Sequence, residues 1–225
     1  MRTVDEINEE IIRCRRCPRL VRWREDSAAD PPARFRGEDY WAKPVPGFGD
    51  AAARVLVVGL APAAHGANRT GRVFTGDRSG DWLYRALFET GFASQPTSIA
   101  RGDGLALIDC YIAAAVRCAP PENKPRPEER ANCLPFLCAD IRALARLQVI
   151  VALGAVGWQA ALTALRDNGE AAAPPEPRFG HGVEARAGRY LLIGSYHPSP
   201  HNTNTGRLST SGLSGVFESA RARLS

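Results

Sequence analysis

Four short apolar runs, set between stretches of helical periodicity, constrain this chain more than any other feature. They are Val55-Leu56-Val57-Val58, Leu105-Ala106-Leu107-Ile108, Val149-Ile150-Val151-Ala152 and Tyr190-Leu191-Leu192-Ile193. An unbroken apolar run puts hydrophobic side chains on both faces of a strand, so each strand needs cover above and below. Helical periods near 81–90, 127–147, 155–168 and 212–223 supply that cover. Strands alternating with helices imply right-handed crossovers, a parallel sheet and an α/β fold. A further helix is predicted over Val4 to Arg13. Residues 14 to about 50 follow no period but carry Trp23, Phe35, Tyr40, Trp41 and Phe48, too aromatic a set for a disordered tail. This stretch reads as an ordered arm packed on the core.

With 225 residues, 44% of them hydrophobic, the chain fits one domain with a sizeable core. Residues 1–50 are expected to form its N-terminal helix and arm, and 51–225 its α/β core. The longest apolar stretch, 147–155, is far too short to span a bilayer. The first twelve residues are polar and acidic, unlike a secretory signal. A soluble intracellular protein with no membrane partner is therefore expected. Net charge is +5, and apart from Lys43 and Lys124 the cations are Arg. Guanidinium forks match phosphate oxygens, but an Arg excess also follows from a GC-rich coding sequence. Charge permits nucleic acid without selecting it.

Each chemically dense segment begins at or just after the carboxyl end of a predicted strand: from Gly59, Tyr111, Gly154 and Ser195. Ligands of open α/β sheets bind at that end, so one shared crevice is expected. The Gly59–Gly80 loop has neither a Gly-Lys-Ser/Thr ending nor the G-x-G-x-x-G spacing, which excludes the common phosphate-binding and dinucleotide fingerprints. Its small residues let a backbone approach a flat ligand. Phe74 offers either a stacking face or a core plug, and Asp77 either catalytic duty or a helix-start acid. The last segment, His197-Pro198-Ser199-Pro200-His201-Asn202 through Arg207-Leu208, holds two of the chain's four His. Two prolines with fixed φ make it a stiff polar edge.

Six cysteines complete the pattern. Cys14 and Cys17 form C-x2-C before a proline, and Cys118 and Cys133 lie fifteen residues apart. A close pair with two spaced partners in an intracellular chain favours metal or cluster ligation over disulfides. Four thiolates suit zinc and a [4Fe–4S] cluster alike. Cys110 and Cys138 read as small buried hydrophobes.

Together, Gly59–Gly80, Val116–Pro125 with Cys133, His197–Leu208 and the Cys14/Cys17 pair resemble the uracil-DNA glycosylase superfamily, most closely its family 5 (type B), iron–sulfur-containing members. The resemblance implies a central four-stranded parallel sheet flanked by helices. It also implies a [4Fe–4S] cluster on Cys14, Cys17, Cys118 and Cys133 that ties the arm to the core. The implied activity is hydrolysis of the N-glycosidic bond of uracil, and of other deaminated bases such as hypoxanthine, in DNA after base flipping. Such an enzyme is monofunctional and leaves an abasic site. The implied setting is base-excision repair by a monomer in bacterial or archaeal cytoplasm, at the nucleoid.

The resemblance also carries roles. His197 matches a donor to the charge developing on the base's O2, and Asp77 an acid that positions or activates water. Asn123 and Asn202 match residues that order water or base. Phe74 stacks on the flipped base, while the backbone near Leu60 and Ala61 contacts it. Ala114 stands where other members read uracil with an Asn, which fits broad base tolerance. Arg207 and Leu208 belong to a loop entering the minor groove, Leu208 as a wedge. The chain departs from many members in lacking a carboxylate in Gly59-Leu60-Ala61-Pro62, and in having His201 where an Arg is common. The missing carboxylate keeps a second reading open, a non-catalytic iron–sulfur DNA-damage-binding protein. A zinc-bearing hydrolase of small nucleosides is a third.

Overall fold

The computed structural model describes residues 2–224. In chain order its elements are α1 (Val4–Arg13), α2 (Pro18–Ala29), β1 (Phe48–Gly49), β2 (Val55–Gly59), α3 (Ala67–Thr70), α4 (Arg78–Glu89), β3 (Cys110–Ala114), α5 (Pro127–Ala143), β4 (Val149–Leu153), α6 (Gly154–Asp167), β5 (Glu184–Ala187), β6 (Tyr190–Ser195), α7 (Pro200–Asn204) and α8 (Thr210–Ala222). Three of the four apolar runs become strands as expected. The fourth does not: the strand is Cys110–Ala114, while 105–108 keeps only an isolated bridge from Leu107 to Ala93. Asp109 separates the two runs with a left-handed φ of 56°. Its carboxylate accepts from the Arg54 backbone N–H and Nε, both at 2.8 Å. That clamp aligns Val55 with Cys110 and leaves Ile108 outside, 52% exposed.

The sheet is six-stranded and mixed, in the order β1-β3-β2-β4-β6-β5, which corrects the four-stranded parallel expectation. β3, β2, β4 and β6 run parallel, and β1 and β5 add antiparallel edges. β5 eluded the pattern because it alternates charged Glu184 and Arg186 with Ala on an exposed edge, a composition that also blunts edge pairing. Alternate residues of the parallel strands point to two cores. Val55, Val57, Val151 and Ile193 pack against α4 and α8 through Leu83, Leu87, Leu213 and Phe217. Leu56, Val58, Ile150 and Leu192 pack against α5 and α6 through Leu137, Ile141, Trp158 and Leu165. Because β2 connects outward to β3 and the chain then returns to β4, the order reverses beside β2, where a crevice opens at the carboxyl ends.

The arm is less irregular than its pattern suggests. α2 takes twelve of its residues, started by Pro18 in the first turn, where a missing N–H costs nothing. It buries only Leu20, Val21, Arg24 and Ser27, too narrow a stripe for a clear helical period. A small third core of Ile7, Ile11, Leu20, Val116 and Phe136 joins α1 and α2 to the body beside Cys118 and Cys133.

Candidate active site

A cleft of about 910 Å³ opens at the carboxyl ends of the parallel strands. Leu60, Ala61, Phe74, Asp77, Asn123 and His197 all line it, so most of the sequence-predicted site converges. The loop after β2 forms its floor, His197 comes from the end of β6, and Asn123 from the 3-10 turn Pro121–Asn123 beyond β3. Glu122 and Asn123 both hold left-handed φ, 54° and 56°, as does Phe74 at 52°. Three such non-glycine residues in one cleft mark backbone held against its preference by the surrounding structure.

Phe74 owes its position to two glycines. A Cβ on Gly59 would lie 2.7 Å from the Phe74 ring, and one on Gly80 would lie 1.9 Å from the Phe74 carbonyl oxygen. The space left by Gly59 is thus filled by the chain's own phenyl ring, not by a ligand as its small residues alone suggested. The Phe74 and His197 rings lie 5.7 Å apart at a 33° tilt. Burial holds the His197 imidazole down at about 4, so at neutral pH it is uncharged. A neutral imidazole keeps one N–H to donate and can stabilise a developing anion without first losing a proton.

Asp77 caps α4, its Oδ1 accepting from the Gly80 N–H at 3.0 Å. Burial raises its pKa, opposed by the Gly80 and Ser79 amides. Capping and placement in the cleft therefore belong to one carboxylate, and a more basic Asp77 is better suited to take a proton from water. Its other oxygen, Oδ2, lies where a Cβ on Gly66 would stand, 2.3 Å away. Gly66→Ala is expected to push Asp77 aside and cut the reaction rate on the order of a hundredfold. Single-turnover kinetics beside a thermal melt checks this, because a loss explained by unfolding alone would show in the melt.

Four expected site residues fall elsewhere. Asn202 lies on α7, and its amide donates to the His197 carbonyl oxygen at 2.8 Å, so it supports the loop that carries the imidazole. Ala114 is buried at the end of β3, paired with Gly59, beneath the cleft floor. Leu208 is 1% exposed and packs in the α4–α8 core, so the wedge expectation is corrected: this side chain is already committed to the interior. Arg207 is exposed, its guanidinium 4.2 Å from the centre of the Tyr196 ring. Sequence reasoning assigned nothing to His65, which lines the cleft and bonds the Tyr40 hydroxyl at 3.0 Å through Nδ1. Its place in the loop after β2 was the available signal.

The chain's likeness to known proteins matches this geometry. The family model described as the uracil DNA glycosylase superfamily matches residues 46–220, from β1 to α8. The chain belongs to the uracil-DNA glycosylase superfamily. It is 48% identical to the type-5 uracil-DNA glycosylase of Mycobacterium tuberculosis, over 97% of this chain and 81% of that protein. Identity to the type-5 enzyme of Mycobacterium leprae is 49%, over 97% of this chain and 95% of that one. For the type-5 enzyme of Thermus thermophilus it is 50%, over 89% of each.

Like the residues of the cleft, this superfamily member's cysteines come together in three dimensions. Cys14 closes α1, Cys17 precedes α2, Cys118 follows β3 and Cys133 lies on α5, and all four line one small cavity. Among the described residues, no three His, Cys, Asp or Glu side chains are grouped to hold a metal ion. Arg24, 2% exposed, donates from Nη1 to Cys118 Sγ at 3.0 Å, and the Arg117 backbone N–H donates to Cys133 Sγ at 3.3 Å. Arg24 Nε has no partner among the described residues. Glu25, at 4.0 Å, is the carboxylate closest to its guanidinium and is itself substantially exposed. Cys110 and Cys138 are buried away from this cavity, Cys110 in β3 and Cys138 against α6.

Proposed function

We propose that this protein releases uracil, and other deaminated bases such as hypoxanthine, from DNA by hydrolysing the N-glycosidic bond of a flipped nucleotide, leaving an abasic site without cutting the strand. The observation that carries this reading is the neutral His197 beside the Phe74 ring, with Asp77 in the same cleft. Extrusion costs roughly a few kcal/mol, offset when the base stacks on Phe74 and its edge meets the loop at Leu60 and Ala61. As the bond breaks, negative charge gathers on the base, where the imidazole N–H donates. A carboxylate in the cleft stabilises the positive sugar and orients water towards it, and Asn123 helps order that water. The absence of an amide reader at Ala114 supports tolerance of more than one base. Incubating duplexes that carry uracil, hypoxanthine or cytosine tests the substrate range. Release of the first two, with strand breakage only after alkali, is expected. Release of uracil alone would remove hypoxanthine from the proposal.

The cysteine cavity fits a [4Fe–4S] cluster on Cys14, Cys17, Cys118 and Cys133. The four thiols surround a space instead of meeting at one point, and Arg24 is a buried cation with no close buried carboxylate. A cluster held by thiolates supplies the missing negative charge. Bound there, it would fasten the arm to the body as a structural element. We place the protein in the cytoplasm, at the nucleoid, as a monomer of one domain. No described helix is long and apolar enough to cross a membrane.

A pH profile follows from the two site groups. Asp77 must be ionised to accept a proton, and its raised pKa makes activity fall on acidification at a higher pH than an ordinary carboxylate would. His197, held at about 4, stays neutral from pH 6 upward and adds no step near the usual histidine value. Measured kcat/KM is therefore expected to be level through neutrality and to decline on the acid side. A step near pH 6.5 that vanishes in a His197 variant would contradict this assignment.

A further inference from the structure

We propose that the N-terminal arm is a binding surface for the unpaired DNA strand next to the flipped nucleotide. The inference rests on the glycosylase reading of the cleft. Trp23 of α2 is 38% exposed and lines both the cleft and a second groove bounded by Pro18, Arg22, Asp26 and Pro121. Sharing one indole makes the groove a continuation of the cleft, along the arm and away from the catalytic groups. Arg34 and Phe35 line the cleft from the same arm, with the guanidinium 4.7 Å from the ring centre. Arg69 covers the same ring at 4.3 Å and is neutralised by Glu38.

Arg22 and Arg34 are the arm cations without an ion pair that line this track; Arg36 and Lys43, likewise unpaired among the described residues, lie off it. Arg15, Arg16 and Arg19 each pair with a glutamate, whereas neither Arg22 nor Arg34 has an ion-pair partner among the described residues. Four carboxylates face this track: Asp26 in the groove, and Asp77, Asp81 and Glu122 at the cleft, the last paired with Lys124 at 3.1 Å. An exposed indole beside guanidinium groups that hold no ion pair matches the chemistry of single-stranded nucleic acid. A base face stacks on the indole and phosphates meet the cations. A duplex hides its base faces in its own stack, so the indole finds a partner only on an unpaired nucleotide. The arm thus adds affinity where the strand around the lesion is already open.

Fluorescence anisotropy with a uracil-free single-stranded oligonucleotide, and with the blunt duplex of the same sequence, tests the proposal on the full-length protein. Trp23→Ala is expected to weaken single-strand binding about fivefold or more, and duplex binding by a smaller factor. Trp23→Phe, which keeps a stacking face, should recover much of the loss. Arg34→Ala should lower the slope of log affinity against log salt by about 0.7 on the single strand. Wild-type single-strand affinity in Trp23→Ala overturns the proposal, as does an equal loss on both DNAs. Uracil release by the wild-type protein is followed in parallel. Absence of release defeats the reading of the cleft, whereas release with an unaltered Trp23→Ala defeats only the role of the arm.

Discussion

Replacing His197 with Ala is expected to slow base release by about a hundredfold to a thousandfold while leaving the fold intact. The size follows from what one preorganised donor contributes when charge develops in a water-poor site. His197 meets the conditions for that contribution. It lies at the end of β6, its carbonyl is fixed by Asn202 at 2.8 Å, its ring is beside Phe74, and burial keeps it neutral. The loss should appear in the single-turnover rate and not only in KM, because the donor acts most strongly on the departing base. Asn202→Ala should cause a smaller loss, since it loosens the loop without removing the imidazole. Equal single-turnover rates for wild type and His197→Ala would place the charge-stabilising group elsewhere.

The second large effect is expected far from the cleft. Arg24→Met removes the side-chain donor to Cys118 Sγ and the buried positive charge beside that thiol. Taking one partner from a buried charged arrangement typically costs about 3–5 kcal/mol. For a chain of this length that lowers the melting temperature by about 6 °C or more. The visible absorbance of the proposed iron–sulfur cluster should bleach faster under a chelator, because its thiolates would lose a compensating charge. Arg24→Lys should recover part of the stability, retaining charge without the planar fork. The effect should also reach the cleft. The Asn68 amide donates to the Arg24 carbonyl at 3.1 Å, and Asn68 belongs to the α3 turn between His65 and Phe74. A variant with wild-type melting and bleaching would show that Arg24 balances no charge at the cysteines.

Side-chain chemistry was more legible in the sequence than geometry. His197 and the four cysteines could be singled out because few structural roles require those residues in those positions, whereas Phe74 and Asp77 had ordinary structural readings and took their roles from the resemblance. The convergence of the cleft residues followed from one rule, that loops after parallel strands share an end of the sheet. Choices between equivalent local patterns were not legible. The runs 105–108 and 110–114 are both apolar, and the Arg54–Asp109 clamp selects the second. Leu208 reads equally as an exposed wedge or a core residue, and only the return of α8 onto the sheet settles that it is buried. Gly59, Gly66 and Gly80 show no function as letters, since their contribution is the space given to Phe74 and Asp77. Arg24 was invisible for a related reason: an arginine in an arginine-rich arm gives no sign of being interior.

The central claim is that this cleft breaks the bond between uracil and deoxyribose with its own side chains. Its most direct test is to incubate the purified full-length protein, without added metal or nucleotide, with a uracil-containing oligonucleotide and to measure free uracil. The account predicts stoichiometric appearance of uracil and alkali-labile abasic sites, lost on His197→Ala and absent from a thymine control. An intact oligonucleotide after prolonged incubation with folded, DNA-binding protein would contradict it and favour a damage-binding protein without catalysis.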